Sequence, residues 1–186
     1  MSEDSIEPTE EALEFSRPVD VELLNGKMRI ERLEATPEER DAVAKRLGLD
    51  ALEELRAEIR LTPLAHGDFV KAEGQFTARV RQTCSVTLTP VVSMLEDTLA
   101  RTYGFVAPEE HKPGQEIELD PAGEEPPDPI HEGMVDLGEL VVEELSLAID
   151  PFPRADGAVF DPVAAGVAEE KENPFAVLAK LRKDTD

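Results

Sequence analysis

A chain of 186 residues with one cysteine, no tryptophan and a formal charge of −23 has room for one sizeable core and not for two full domains. The single cysteine excludes an internal disulfide, the three histidines have no zinc-site spacing, and no apolar run approaches the roughly 18 residues of a membrane helix. Such acidity repels nucleic acid at long range, which disfavours non-specific binding while leaving room for a local basic face.

The charge is unevenly spread. Residues 1–16 hold six acids and no base, residues 17–103 hold 15 acids against 13 bases, and residues 104–186 hold 21 acids against six bases. The first half therefore reads as an ordinary mixed-charge domain. The acidic N-terminus lacks the basic character of signal and transit peptides, so a soluble cytoplasmic protein is expected. With one Tyr and seven Phe, a base-stacking surface is poorly supplied.

In chain order, residues 1–14 are too acidic and too poor in apolar residues to fold and are predicted to be a disordered tail. Residues 15–24 predict a strand in which Val19, Val21 and Leu23 alternate with Asp20 and Glu22. Asn25-Gly26 is a strong hairpin signal, because both residues tolerate positive φ, and residues 28–33 are the expected returning strand. Thr36-Pro37-Glu38-Glu39 predicts a helix start with Thr36 as N-cap and Glu39 as capping-box partner; the helix runs to Leu47, stops at Gly48 and presents Val43, Ala44 and Leu47. Residues 55–61 put Leu55, Ala57, Ile59 and Leu61 inward and Arg56, Glu58 and Arg60 outward, a third strand closed by Pro63.

Residues 67–88 carry the cleanest alternation in the chain. Val70, Ala72, Gly74, Phe76, Ala78 and Val80 form one face, joined by Cys84, Val86 and Leu88 if the register recovers after Gln82. Lys71, Glu73, Gln75, Thr77, Arg79 and Arg81 form the other. This is half-buried antiparallel strand, and its length predicts a bend at Gly74 or a break near Thr83. Residues 90–105 predict a further strand with Val92, Met94 and Leu99 in the core.

Residues 107–132 hold nine acids, six prolines and one lysine, and are predicted to be a long mobile loop, with Ile117 and Leu119 as a candidate edge strand. Asp136 then caps a helix over 137–149 whose Leu137, Leu140, Val141, Leu145 and Ala148 fall at helical spacing, ended by Pro151 and Pro153. Residues 154–172 read as loop, and Asn173-Pro174 starts a short helix over 174–182 with Phe175, Leu178 and Ala179 on one face. The fold class expected is α+β: an antiparallel sheet of five to seven strands, open or barrel-like, with two to three flanking helices, in one domain over 15–183 that follows a tail at 1–14.

Three stretches, VRQTCSVTL, VDLGELVVEELSLAIDPFPR and KENPFAVLAKLRKD, in this order and spacing, resemble the YceD family, the bacterial large ribosomal RNA subunit accumulation proteins, in its alphaproteobacterial type. The resemblance runs over nearly the whole of 15–183. It implies a non-enzymatic cytoplasmic factor needed for large-subunit ribosomal RNA levels and for large-subunit assembly. Many members carry a CxxC pair where this chain has Cys84 and Thr87, so no metal role passes to Cys84.

Each residue with chemical potential has a plain structural reading as well. Cys84 on an apolar strand face is most simply a small buried hydrophobe. His66, His111 and His131 lack ligand spacing. Asp136, Glu139, Glu143 and Glu144 read more simply as a cap and a solvated helix face than as acid–base pairs. No catalytic residue, cofactor or metal is therefore expected. Lys71, Arg79 and Arg81 share a strand face that Arg56, Arg60 and Arg101 can extend. This is either a phosphate-contacting patch or a set of cross-strand charge pairs with Glu58 and Glu73. The candidate partner-binding residues are Lys71, Arg79, Arg81 and Arg101. The expected partner is ribosomal RNA or an assembly intermediate, and the alternative is a basic ribosomal protein held by an acidic adaptor or chaperone. A monomer without membrane contact is expected.

Overall fold

Period-two alternation over long stretches produces long strands, and three of 14 or 15 residues dominate the molecule. The computed structural model describes residues 14–64, 68–105 and 126–160. In order these form β1 (Pro18–Asp20), a one-turn 3-10 helix (Glu22–Leu24), β2 (Arg29–Glu34), α1 (Pro37–Leu47), β3 (Ala51–Leu64) and β4 (Phe69–Thr83). Then come β5 (Pro90–Gly104), β6 (Asp128–Pro129), β7 (Met134–Asp136) and α2 (Leu137–Ala148). The main sheet has the order β2-β3-β4-β5-β6, antiparallel except for the short parallel β5–β6 pair, while β1 and β7 form a separate antiparallel pair.

One face of this sheet is dry. Leu55, Ala57, Ile59 and Leu61 of β3, Val70, Ala72, Phe76, Ala78 and Val80 of β4, and Leu99 and Tyr103 of β5 are buried against Val43 and Ala44 of α1 and Leu137, Leu140, Val141 and Leu145 of α2. Each fully buried aliphatic side chain contributes about 1.5–3 kcal/mol, so this inner layer holds the domain together. The fold is α+β as expected, and the sheet is open. Barrel closure does not occur, because the helices already cover the face that a closed sheet would have to cover itself.

Several expectations need correction. Only Pro18–Asp20 of the predicted first strand is extended; Leu23 turns outward at 67% exposure and Leu24 is buried in its place. Asn25 and Gly26 do take positive φ, at 49° and 73°, and Lys27 N donates to Leu24 O at 2.8 Å. The turn makes no hairpin, because β1 pairs with β7 and β2 with β3. Pro63 does not close β3 but lies within it, opposite Val70. Val92 and Met94 are 49% and 52% exposed and not in the core, since the β4–β5 register is unbroken and Leu99 fixes odd-numbered β5 residues on the dry side. The tail before residue 14, most of the loop 107–132, the strand suggested at Ile117 and Leu119 and the helix over 174–182 lie outside the described residues.

The helix ends are built as the sequence anticipates. Thr36 Oγ1 accepts from Glu39 N while Glu39 Oε2 accepts from Thr36 N at 2.8 Å, and Gly48 closes α1 at φ 67°. Asp136 does more than cap α2. Its Oδ1 accepts from Gly138 N, Glu139 N and Arg17 N at 2.9, 3.1 and 2.9 Å, and its Oδ2 accepts from Ser16 Oγ at 2.5 Å. One carboxylate thus ties the start of the described chain to the second helix.

β4 ends at Thr83, where a break was one of the two expectations, and its pairing to both neighbours runs unbroken through Gly74, where the glycine is required. A Cβ at this position would lie 2.1 Å from Glu58 O and 2.9 Å from Ile59 Cα on β3. Gly74→Ala must push two strands apart at the centre of the sheet, which predicts a loss of about 1–3 kcal/mol in urea unfolding. A loss below about 0.5 kcal/mol would show that the strands do not approach this closely.

Candidate functional site

The wet face of the sheet is built from the residues that alternate with the core. Arg32 and Glu34 on β2, Arg56, Glu58 and Arg60 on β3, Thr77, Arg79 and Arg81 on β4, and Val92, Met94 and Glu96 on β5 stand in register across it. A bulge in β3 between Leu52 and Glu54 adds Glu53 to this face. Glu53 receives Arg79 at 3.2 Å and Arg81 at 3.6 Å. Arg56 reaches Glu34 and Glu54, each at 3.1 Å, Arg32 reaches Glu58 at 2.7 Å, and Lys71 reaches Glu73 at 2.8 Å. Six bases (Arg32, Arg56, Arg60, Lys71, Arg79, Arg81) thus face six acids (Glu34, Glu53, Glu54, Glu58, Glu73, Glu96) and the face sums to zero, in a chain whose total is −23.

These ion pairs are exposed, and such pairs are worth about 0.2–1 kcal/mol each. Arg79 and Arg81 are therefore placed by a rigid strand but not locked by their carboxylate. Both share Glu53, so either guanidinium can turn to another anion without leaving a buried charge behind. The bulge acids were legible only as the Glu53-Glu54 doublet that interrupts alternation before Leu55.

Arg101 stands apart from the other three candidates. It lies opposite Ala72 on the inner side of the sheet, where its guanidinium donates to Glu143 at 2.6 Å, to Glu144 at 3.1 Å and to Asp128 at 3.3 Å. Burial opposes its charge, but the Glu143 hydrogen bond and nearby carboxylates more than compensate, and its pKa is raised. Arg101 therefore joins β5 to α2 and does not extend the Arg79–Arg81 face. The parity of 101 against 79 and 81 across a 173-sum register carries this distinction. Glu143 and Glu144 accordingly hold this arginine in place of the solvated face expected of them. Glu139 forms a fork with Arg46 of α1 at 2.6 and 2.9 Å.

Cys84 is buried just past β4, as expected, though its surroundings are polar. Its Sγ accepts backbone N–H groups from Thr87 and Ala155 at 3.3 Å and from Val86 at 3.4 Å. The Thr87 side chain, then the Ala155 and Thr87 amides, favour the thiolate against the opposing effect of burial, and the thiol pKa falls to about 6. Leu88, at φ 59°, closes this turn and is 76% exposed, so the alternation does not resume after Gln82. Among the described residues no three His, Cys, Asp or Glu side chains converge as a metal site.

The family model described as large ribosomal RNA subunit accumulation protein YceD matches residues 72–182. The chain belongs to the YceD family. No curated protein and no solved structure matches it. The YceD match takes in Arg79, Arg81, Cys84, Arg101 and α2, whereas Lys71 falls one residue before it. Among the described residues no helix is long and apolar enough to cross a membrane.

The thiol chemistry makes a pH prediction. A folded pKa near 6 lies below the ordinary thiol value of about 8.5, so the thiolate favours the fold. This contribution is complete above about pH 8.5 and is lost as pH falls toward 6. Thiolate absorbance should titrate near pH 6 in the native protein. The unfolding free energy should rise with pH across this window relative to Cys84→Ala, and Thr87→Val should move the titration upward. A native thiol titrating above pH 8 would contradict the arrangement.

Proposed function

We propose that this protein supports the accumulation of large-subunit ribosomal RNA as a non-catalytic factor, by docking the outer face of its sheet on ribosomal RNA within an assembly intermediate. The observation that carries the reading is the family match, which takes in most of β4 and all of β5, two of the four strands that build this face and the two that carry Arg79, Arg81, Val92 and Met94. Charge supports the location. A polyanion approaching a chain of −23 is repelled by its general field, but the outer face is neutral and presents Arg79 and Arg81 on one rigid strand. Guanidinium groups held this way suit phosphate oxygens, while Val92 and Met94 beside them offer apolar contact to the rest of a particle. Lys71, at the far end of the same face, adds a third cation at longer reach. The reading places the protein in the cytoplasm, where assembly takes place.

The test is complementation of cells depleted of the protein. Arg79→Ala with Arg81→Ala should lower the ratio of large- to small-subunit ribosomal RNA, while shifting unfolding stability by no more than about 1 kcal/mol, because only exposed pairs with Glu53 are lost. Lysate sedimentation before and after ribonuclease identifies the ligand. Co-migration with large-subunit precursors that ribonuclease abolishes supports RNA. Association that survives ribonuclease transfers the reading to a basic ribosomal protein held by an acidic adaptor. A normal ratio in the double variant removes these arginines from the function.

A further inference from the structure

The two edges of the main sheet are guarded differently. β2 is six residues long and carries charge on both faces, Arg29 and Glu31 toward the inner side and Arg32 and Glu34 toward the outer. Such charges are how natural edge strands resist pairing with other chains. On the opposite edge, β5 has no charged residue from Pro90 to Leu95, and its only proline stands at the first position.

Among the described residues the backbone there is open. Phe105 N–H donates to Asp68 O at 3.3 Å and Cys84 N–H to Thr89 O at 2.8 Å, bracketing the β4–β5 ladder. Because the register between these points is continuous, odd-numbered β5 residues turn their N–H and C=O toward β4 and even-numbered residues turn theirs away. Gly104 O, which accepts from Ile130 N at 2.9 Å, obeys this parity. β6 covers only Tyr103 and Gly104. Val92, Met94 and Glu96 therefore present donors and acceptors that meet no strand among the described residues, until Asp97 Oδ1 takes the Thr98 N–H at 2.7 Å and ends the open stretch.

We propose that this edge, from Val92 to Glu96, receives an added strand: a cationic, extended segment of another polypeptide. Three residues with one donor and one acceptor each offer about six backbone hydrogen bonds to an antiparallel guest. Val92 and Met94 on the outer face and half-buried Leu95 on the inner give its alternate side chains apolar contact. The charge of the guest follows from the surroundings. Glu96 and Asp97 are exposed at the end of the open stretch and take part in no ion pair among the described residues, and the chain as a whole carries −23. A nucleic acid has no backbone to continue the ladder, and a second copy of this chain would bring its own −23. The inference goes beyond the outer-face reading and does not require it.

The probe is a fluorescein-labelled nine-residue peptide of alternating lysine and valine, titrated into the full chain by anisotropy, with an alternating glutamate and valine peptide as control. The lysine peptide should bind saturably and the glutamate peptide at least about tenfold more weakly. Binding should slow amide exchange at Val92, Met94 and Glu96. Met94→Pro removes an N–H that the β4 ladder does not use, and should weaken binding about tenfold through the lost hydrogen bonds. Glu96→Lys should weaken it about threefold. If Met94→Pro does not fold, the exchange pattern in the natural chain decides. The proposal is overturned if the lysine peptide fails to bind, if the two peptides bind alike, if folded Met94→Pro binds normally, or if protection appears away from β5. It is also overturned if sedimentation shows a dimer that Met94→Pro dissociates, since the edge then belongs to a second copy. None of these outcomes depends on the ribosomal RNA ratio that tests Arg79 and Arg81.

Discussion

Fifteen consecutive residue pairs join β4 to β5 without a shift, and the whole molecule inherits its two-sidedness from that unbroken register. Outside the β3 bulge at Glu53 side chains alternate along each strand, so once Ala72, Phe76 and Ala78 are buried every other position on three strands is assigned to a face. Arg79 and Arg81 are exposed for the same reason that Val80 is dry. Arg101, only one position in parity away, is turned to the opposite side, where α2 supplies its carboxylates. The close approach of β3 at Gly74 is the cost of so regular a pairing, because no side chain fits where the two backbones nearly touch.

The second layer is held to this sheet by a few charge-assisted joints of unequal kind. Asp136 combines a helix cap with two bonds to the Ser16–Arg17 segment, Arg17 forks onto Glu39 at 2.7 and 2.9 Å, and Arg46 forks onto Glu139. The Glu39 carboxylate serves α1 as capping-box partner and serves Arg17 as ion-pair partner, and the Arg17 hydrogen bond holds its pKa low. These joints are partly shielded, unlike the pairs of the outer face. The molecule therefore divides its ion pairs: those between layers fix architecture, and those on the open face leave their arginines exchangeable.

Much of this was legible from the chain. The cap residues Thr36 and Asp136, the apolar face of α2, and the inward and outward sets of β3 and β4 follow from local patterns that tertiary structure leaves intact. What was not legible depended on partners distant in sequence. The Asn25-Gly26 turn has the expected backbone, yet the hairpin is lost because β1 finds β7 more than a hundred residues later. Arg101 looked like Arg79 because both are arginines in alternating strands, and only the register across the intervening turn separates them. The sulfur of Cys84 looked apolar by its strand position, whereas the chain at Ala155 returns to donate an amide to it.

The central claim is that the neutral outer face, and not the helical layer, meets the ribosomal precursor. The most direct measurement is photo-cross-linking from a benzophenone side chain placed at Thr77, in the middle of the outer face, and separately at Ser146, exposed on α2. The account predicts cross-links to large-subunit precursor RNA, or to a protein bound on it, from position 77 and not from position 146. Cross-links from position 146 alone would place the partner on the other layer and contradict it.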